Sequence, residues 1–90
     1  MVTLMVQHRV RDFKAWHRVY KESGPLQKEL GVTSESVHQA KDDPNNVLVI
    51  HHFATMAAAE AFMSDARLPE AMQRGGVESA PRFEFWETVK

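Results

Sequence analysis

The chain contains no cysteine, which removes disulfides, iron–sulfur clusters and thiolate zinc sites together. Neither sign of charge dominates: 11 basic and 12 acidic residues, mixed along the chain, leave a formal net charge of −1. There is accordingly no basic patch to release counterions from nucleic acid and no polybasic footprint for a membrane surface. No apolar run approaches the ~20 residues of a membrane-spanning helix. The opening MVTLMVQHRV alternates too early to be a signal peptide, so a cytoplasmic location is expected. Glycine and proline are scarce, at four each, so each marks a place where the chain turns.

What is present reads as one small domain over residues 1–90, with 43% apolar content. A domain of this size buries only about 60–65% of its unfolded surface, so it is marginal alone and gains from oligomerisation. The run Val47-Leu48-Val49-Ile50 is unbroken, the pattern of a strand buried on both faces. A single sheet with helices on one side leaves the other face bare. A second copy of the chain is the simplest cover.

Val2, Leu4, Val6, His8 and Val10 fall on one face of a first strand, and Thr3, Met5, Gln7 and Arg9 on the other. Asp12 is placed to cap a helix in which Phe13, Trp16, Val19 and Tyr20 form an apolar stripe. Ser23-Gly24-Pro25 interrupts the stripe, Leu26 and Leu30 resume it, and Gly31 suits its end, which predicts a kinked or two-part helix over 12–30. Val32 to Ala40 reads as an edge strand, joined through the turn Lys41 to Asn46 to the central strand Val47–Ala54. Thr55 can cap a second helix with Ala58, Ala61, Phe62 and Met63 on its apolar side. Arg67-Leu68-Pro69 breaks that helix, and a short one carrying Leu68, Ala71 and Met72 stops at Gly75-Gly76. Arg82 to Val89 alternates as a fourth strand, with Phe83, Phe85 and Trp86 split between its faces.

The order is β-α-β-β-α-β, the α+β ferredoxin-like split βαβ arrangement, with an antiparallel sheet and helices on one face. His8-Arg9-Val10 followed by Phe13 is echoed by His51-His52-Phe53 followed by Met56, a faint internal repeat. Right-handed crossovers put the first and third strands side by side at the centre. His8 and His51 then enter the layer between helices and sheet, while Arg9 and His52 face the other way.

The segments VRDFKAWHRVY, GVTSESV, KDDPNNV and SDARLPEAMQRGGV, followed by an aromatic last strand, resemble the dimeric α–β barrel superfamily. Within it they are most similar to small stand-alone proteins of the antibiotic biosynthesis monooxygenase type. The resemblance implies a homodimeric barrel closed by two open sheet faces, with ligands entering between helices and sheet. Its members include cofactor-free quinone-forming monooxygenases, haem-degrading enzymes, polyketide cyclases, lactone isomerases and proteins without a known reaction. Haem-degrading members carry an Asn, a Trp and a His where this chain has Gln7 or His8, Phe62, and Met72 or Gln73, so that function does not carry over.

Five histidines invite a metal, but His51 and His52 diverge on one strand. Antiparallel pairing separates His8 from His51 by four residues, roughly 13 Å of strand. No metal or cofactor is expected. His8 is the candidate general base, because a neutral imidazole can deprotonate a phenol or an acidic C–H; His51 is the weaker candidate. Trp16, Tyr20, Phe62, Met63 and Met72 are candidates to line a pocket for a planar apolar ligand, or are simply core. Arg9, His52 and Glu84 or Glu87 are candidates for polar contacts inside the barrel, and His17 is expected to face solvent. Two functions stay open. One is a cofactor-independent monooxygenase-like enzyme acting on a small aromatic or polyketide-like substrate. The other is a non-catalytic dimeric barrel that binds a small apolar ligand, or a cyclase-like relative.

Overall fold

The N-terminal alternation becomes strand β1 (Val2–Arg9), in which Val2, Leu4, Val6 and His8 are buried. The structure, a computed structural model, describes residues 1–89. After β1 come α1 (Phe13–Glu22), α2 (Gly24–Glu29), β2 (Val32–Ala40), β3 (Asp43–Phe53), α3 (Met56–Ser64), α4 (Arg67–Arg74) and β4 (Arg82–Glu87). The strands form one antiparallel sheet in the order β2-β3-β1-β4, with β1 and β3 central as expected. Among the described residues no helix is long and apolar enough to cross a membrane.

Local chemistry sets the helix ends. The Asp12 carboxylate accepts from the Lys14 N–H at 3.0 Å, and the Thr55 hydroxyl accepts from the Ala58 N–H at 3.1 Å. Ser23-Gly24-Pro25 divides the first helical region into α1 and α2, since proline tolerates only a first turn. Gly31, at φ +96°, ends α2 in the left-handed region that a side chain would strain.

β4 stops at Glu87, short of the expected Val89, and three other elements differ from expectation. β3 begins at Asp43 rather than Val47, because β1 extends far enough to pair Arg9 with Asn46 and the Val10 N–H donates to the Asn45 carbonyl. The extra residues are absorbed by a bulge, Gln39 opposing Val47 while Ala40 opposes Asp43. α4 begins at Arg67, before Pro69, since the Asp65 carboxylate accepts from the Arg67 backbone and guanidinium, both at 2.9 Å. On α3 the buried pair is Ala59 and Phe62; Ala61 is exposed.

The core lies wholly on the helix side of the sheet: Val2, Leu4, Val6 and Val10 from the N-terminal segment, Val47, Val49 and Phe53 from β3, and Trp16, Ala59 and Phe62 above them. On the other side Leu48 and Ile50 of the central run are only half-buried, beside Met5 and Gln7. The sheet's second face is therefore bare in the single chain. The aromatics of β4 also divide, Phe83 and Phe85 toward the helix side and Trp86 toward the open one, but all three are exposed. They are not core, because β4 is an edge strand that the helices do not cover.

Trp16 and Phe62 retain 4% and 2% of their exposure. Truncating either to alanine is expected to destabilise the fold by about 3–5 kcal/mol in denaturant titrations. Loss of less than about 1 kcal/mol for both would show that the helix layer is not close-packed.

Candidate functional site

The alternation of β1 and β3 delivers His8 and His51 to the same face, and the register sets them apart, Leu4 opposing His51 and Val47 opposing His8. Above them α1 supplies Trp16 and Tyr20, α3 supplies Phe62 and α4 supplies Met72. All six residues line one cleft between helices and sheet. The layer thus brings together every residue singled out as base or as ligand wall except Met63. Met63 packs against the core without lining the cleft.

The walls are mostly apolar and include a cluster of packed rings. Trp16 and Tyr20 stack at 5.0 Å between centroids, His8 meets the Trp16 edge at 5.6 Å, and His51 lies 5.1 Å from Phe62. Counted out to its open mouth the cleft holds about 640 Å³, but much of that is solvent. The enclosed space is about 60 Å³, which decides what fits: a few waters rather than a bicyclic ring. Gly75 allows Trp16 to sit as deep as it does, since a Cβ there would lie 3.0 Å from Trp16 Cδ1.

Both histidines are held neutral. Burial lowers the His8 pKa, its own backbone carbonyl opposing the effect. Burial and, less strongly, the neighbouring His52 lower that of His51 to about 4. Each ring has a buried Nδ1 without a hydrogen-bond partner among the described residues. An unpaired buried polar atom costs about 1–3 kcal/mol, so two of them facing one layer call for a use. Tyr20 adds a phenol whose pKa burial and Glu35 raise well above the ordinary range. Its hydroxyl lies 2.7 Å from Glu35 Oε2 and 3.3 Å from His51 Nε2.

Glu35 and the buried Gln27 were not singled out from the sequence. Glu35 sits opposite His51 on β2, so the pairing register would have found it. Elsewhere His17 is half-buried, not solvent-facing, because its ring stacks on Phe13 at 5.3 Å. Arg9 pairs with Asp43 at one end of the open face, and at the other His52 Nδ1 meets the Thr3 hydroxyl at 3.1 Å. Of the two glutamates considered with them, Glu84 shares that face; Glu87, opposite Val2, belongs to the helix side.

No known family's sequence pattern matches the chain, and no curated protein matches it either. Solved structures do. SnoaB, a cofactor-independent oxygenase from Streptomyces nogalater, superposes with a TM-score of 0.80 at 11% identity, over 99% of this chain and 93% of its own. An antibiotic biosynthesis monooxygenase gives 0.77 at 10% identity over the whole of both chains. A protein of unknown function from Nitrosomonas europaea gives 0.78 at 20%, over 99% of this chain and 89% of that one. This chain has the antibiotic biosynthesis monooxygenase fold. The resemblance read from the sequence therefore holds for the fold, and identities this low carry it no further. Within that fold, proteins with a stated oxygenase activity and proteins without a known one are equally similar in shape, so activity rests on the cleft.

The buried imidazoles make stability depend on pH. Unfolded, each titrates near ~6.5, so below that pH the unfolded chain takes up protons that the folded chain refuses. Stability is full above that value and falls with acid until His51 itself titrates near pH 4. The contribution of His51 is about 3 kcal/mol at most. Asp65, held near 2 by Arg67, stays ionised through this window. Thermal unfolding followed from neutral pH toward pH 4 is expected to show a falling midpoint, with a shallower fall in His51→Gln. Equal slopes would mean that His51 is not buried neutral.

Proposed function

We propose that this chain is a homodimeric, cofactor-independent oxygenase-type enzyme that deprotonates a small phenol or carbon acid in the helix–sheet cleft, with His8 as base. The observation that carries this is the pair of neutral imidazoles buried in an apolar cleft, each with an Nδ1 that has no hydrogen-bond partner among the described residues. A neutral ring is the form that accepts a proton, and apolar walls favour a reduced aromatic substrate over an anion. Once the proton is removed, the electron-rich phenolate or carbanion is itself the reductant of dioxygen. Trp16, Tyr20, Phe62 and Met72 hold the ring of the substrate. With about 60 Å³ in the cleft as it stands, a ring enters only where the Trp16–Tyr20 stack opens.

The homodimer is part of the proposal. Leu48, Ile50, Met5 and Trp86 leave an apolar patch on the open sheet face, with no helix over it. The chain exposes 5818 Å², somewhat above the ~5,400 Å² usual for a folded monomer of this mass. A second copy covering that face removes the surplus.

One observation favours the alternative, a barrel that binds a small apolar ligand without turning it over. The layer is largely filled by Trp16 and Phe62, both buried.

Oxygen uptake with hydroquinones and anthrone-like phenols separates the two. The enzyme reading expects uptake that His8→Gln abolishes while leaving dimerisation intact; uptake unchanged per folded subunit would remove His8 as base. No uptake with any of them would leave the binding reading.

For assembly, sedimentation at micromolar concentration is expected to show a dimer, and Leu48→Lys or Ile50→Lys to dissociate it, since burying an unpaired charge costs several kcal/mol. A well-folded parent monomer would remove the barrel.

A further inference from the structure

Tyr20 bridges the helix layer to the edge strand. Its hydroxyl donates to Glu35 Oε2 at 2.7 Å, and the same oxygen lies 3.3 Å from His51 Nε2, long but within reach. Glu35 and His51 are directly opposed on β2 and β3, so backbone pairing places carboxylate and ring on one face. A phenol has a single proton, and a carboxylate only accepts. With that proton given to Glu35, Tyr20 offers His51 only a lone pair, so the hydrogen in the Tyr20–His51 contact belongs to Nε2. A neutral imidazole carries one N–H. Nδ1 is then bare, and it is the atom left buried without a partner.

We propose that Tyr20 and Glu35 are positioning residues that hold His51 as its Nε2–H tautomer, leaving Nδ1 as its accepting atom beside the cleft. The use of this lock rests on the proton-transfer reaction proposed above; the lock itself does not. Burial penalises a charged ring at this position, so His51 is a poor place to store a proton. The chain Nδ1, Nε2, Tyr20, Glu35 avoids storing one. A hydroquinone loses two protons as it reduces dioxygen to peroxide. With one taken by His8, the other, taken at Nδ1, is matched by passage of the Nε2 proton to the Tyr20 oxygen, and of the hydroxyl proton to Glu35. The ring and the phenol stay neutral throughout. Glu35 alone changes charge, and it sits exposed on β2, where water removes the proton. His51 thus serves as a relay from the cleft to the edge of the sheet, while His8 has no such exit.

Proton–nitrogen correlation spectra of the imidazole rings in the full chain read the tautomer directly. The parent is expected to show His51 with hydrogen on Nε2 near neutral pH. In Glu35→Ala, Tyr20 loses its acceptor and turns its hydroxyl to Nε2, so the hydrogen moves to Nδ1. In Tyr20→Phe both tautomers are populated. Glu35 is exposed, so circular dichroism is expected to be unchanged in Glu35→Ala. A parent ring with hydrogen on Nδ1, or a Glu35→Ala ring that keeps it on Nε2, overturns the lock. In the oxygen-uptake assay, Glu35→Ala is expected to lower kcat by about tenfold or more with KM nearly unchanged. An unchanged kcat overturns the relay, whereas absence of uptake in the parent itself counts against the reaction and leaves the tautomer result standing.

Discussion

The pairing of β1 with β3 is the constraint from which the rest of this structure follows. It runs from Val2 opposite Phe53 to Arg9 opposite Asn46, and it fixes which face each side chain of the two central strands occupies. A slip of one residue in either strand would exchange the two faces, putting His8 or His51 on the open side and Gln7 or His52 under the helices. The valines, Leu4 and Phe53 forbid that slip, because it would expose the core. Hydrophobic burial thereby holds two histidines in an apolar layer that would reject them on their own account.

That placement has a chemical consequence. The imidazoles are buried and neutral, and each keeps an unpartnered nitrogen, which a purely structural layer gains nothing by retaining. The same register keeps the rings four residues apart along neighbouring strands, too far to share one ion. They are better suited to separate work. The His8 ring packs on the edge of Trp16, whereas His51 touches a phenol that leads to a surface carboxylate. The fold is shared by proteins with and without a stated activity, so what distinguishes this chain is the set of side chains in the cleft.

Much of this was legible in the residues. Period-two alternation gave the faces of β1 and β3, and Ser23-Gly24-Pro25 gave the division of α1 from α2. The aromatic stripe gave Trp16 and Tyr20 as the roof. What stayed hidden depends on contacts that no local pattern encodes. β3 starts at Asp43 because Arg9 and Val10 hold Asn46 and Asn45 on one side and Ala40 of β2 pairs with Asp43 on the other, which overrides the turn chemistry of Asp43-Pro44-Asn45. Glu35 reads as one polar residue among several on an edge strand until the β2–β3 register, with its bulge, sets it opposite His51. Ala59 replaces Ala61 as the buried alanine because α3 packs through the row containing Phe62, and alanine gives no strong sign of which side faces in. The size of the cleft was equally out of reach, since it is set by how closely Trp16 and Tyr20 stack.

The central claim is that this cleft is a site for a small reduced aromatic molecule, with His8 at its floor. A crystal structure of the protein grown without oxygen in the presence of hydroquinone tests it most directly. The account predicts the ring between Trp16 and the sheet, one hydroxyl within hydrogen-bond reach of a His8 nitrogen. A closed cleft with the Trp16–Tyr20 stack undisturbed, under saturating hydroquinone, would contradict it.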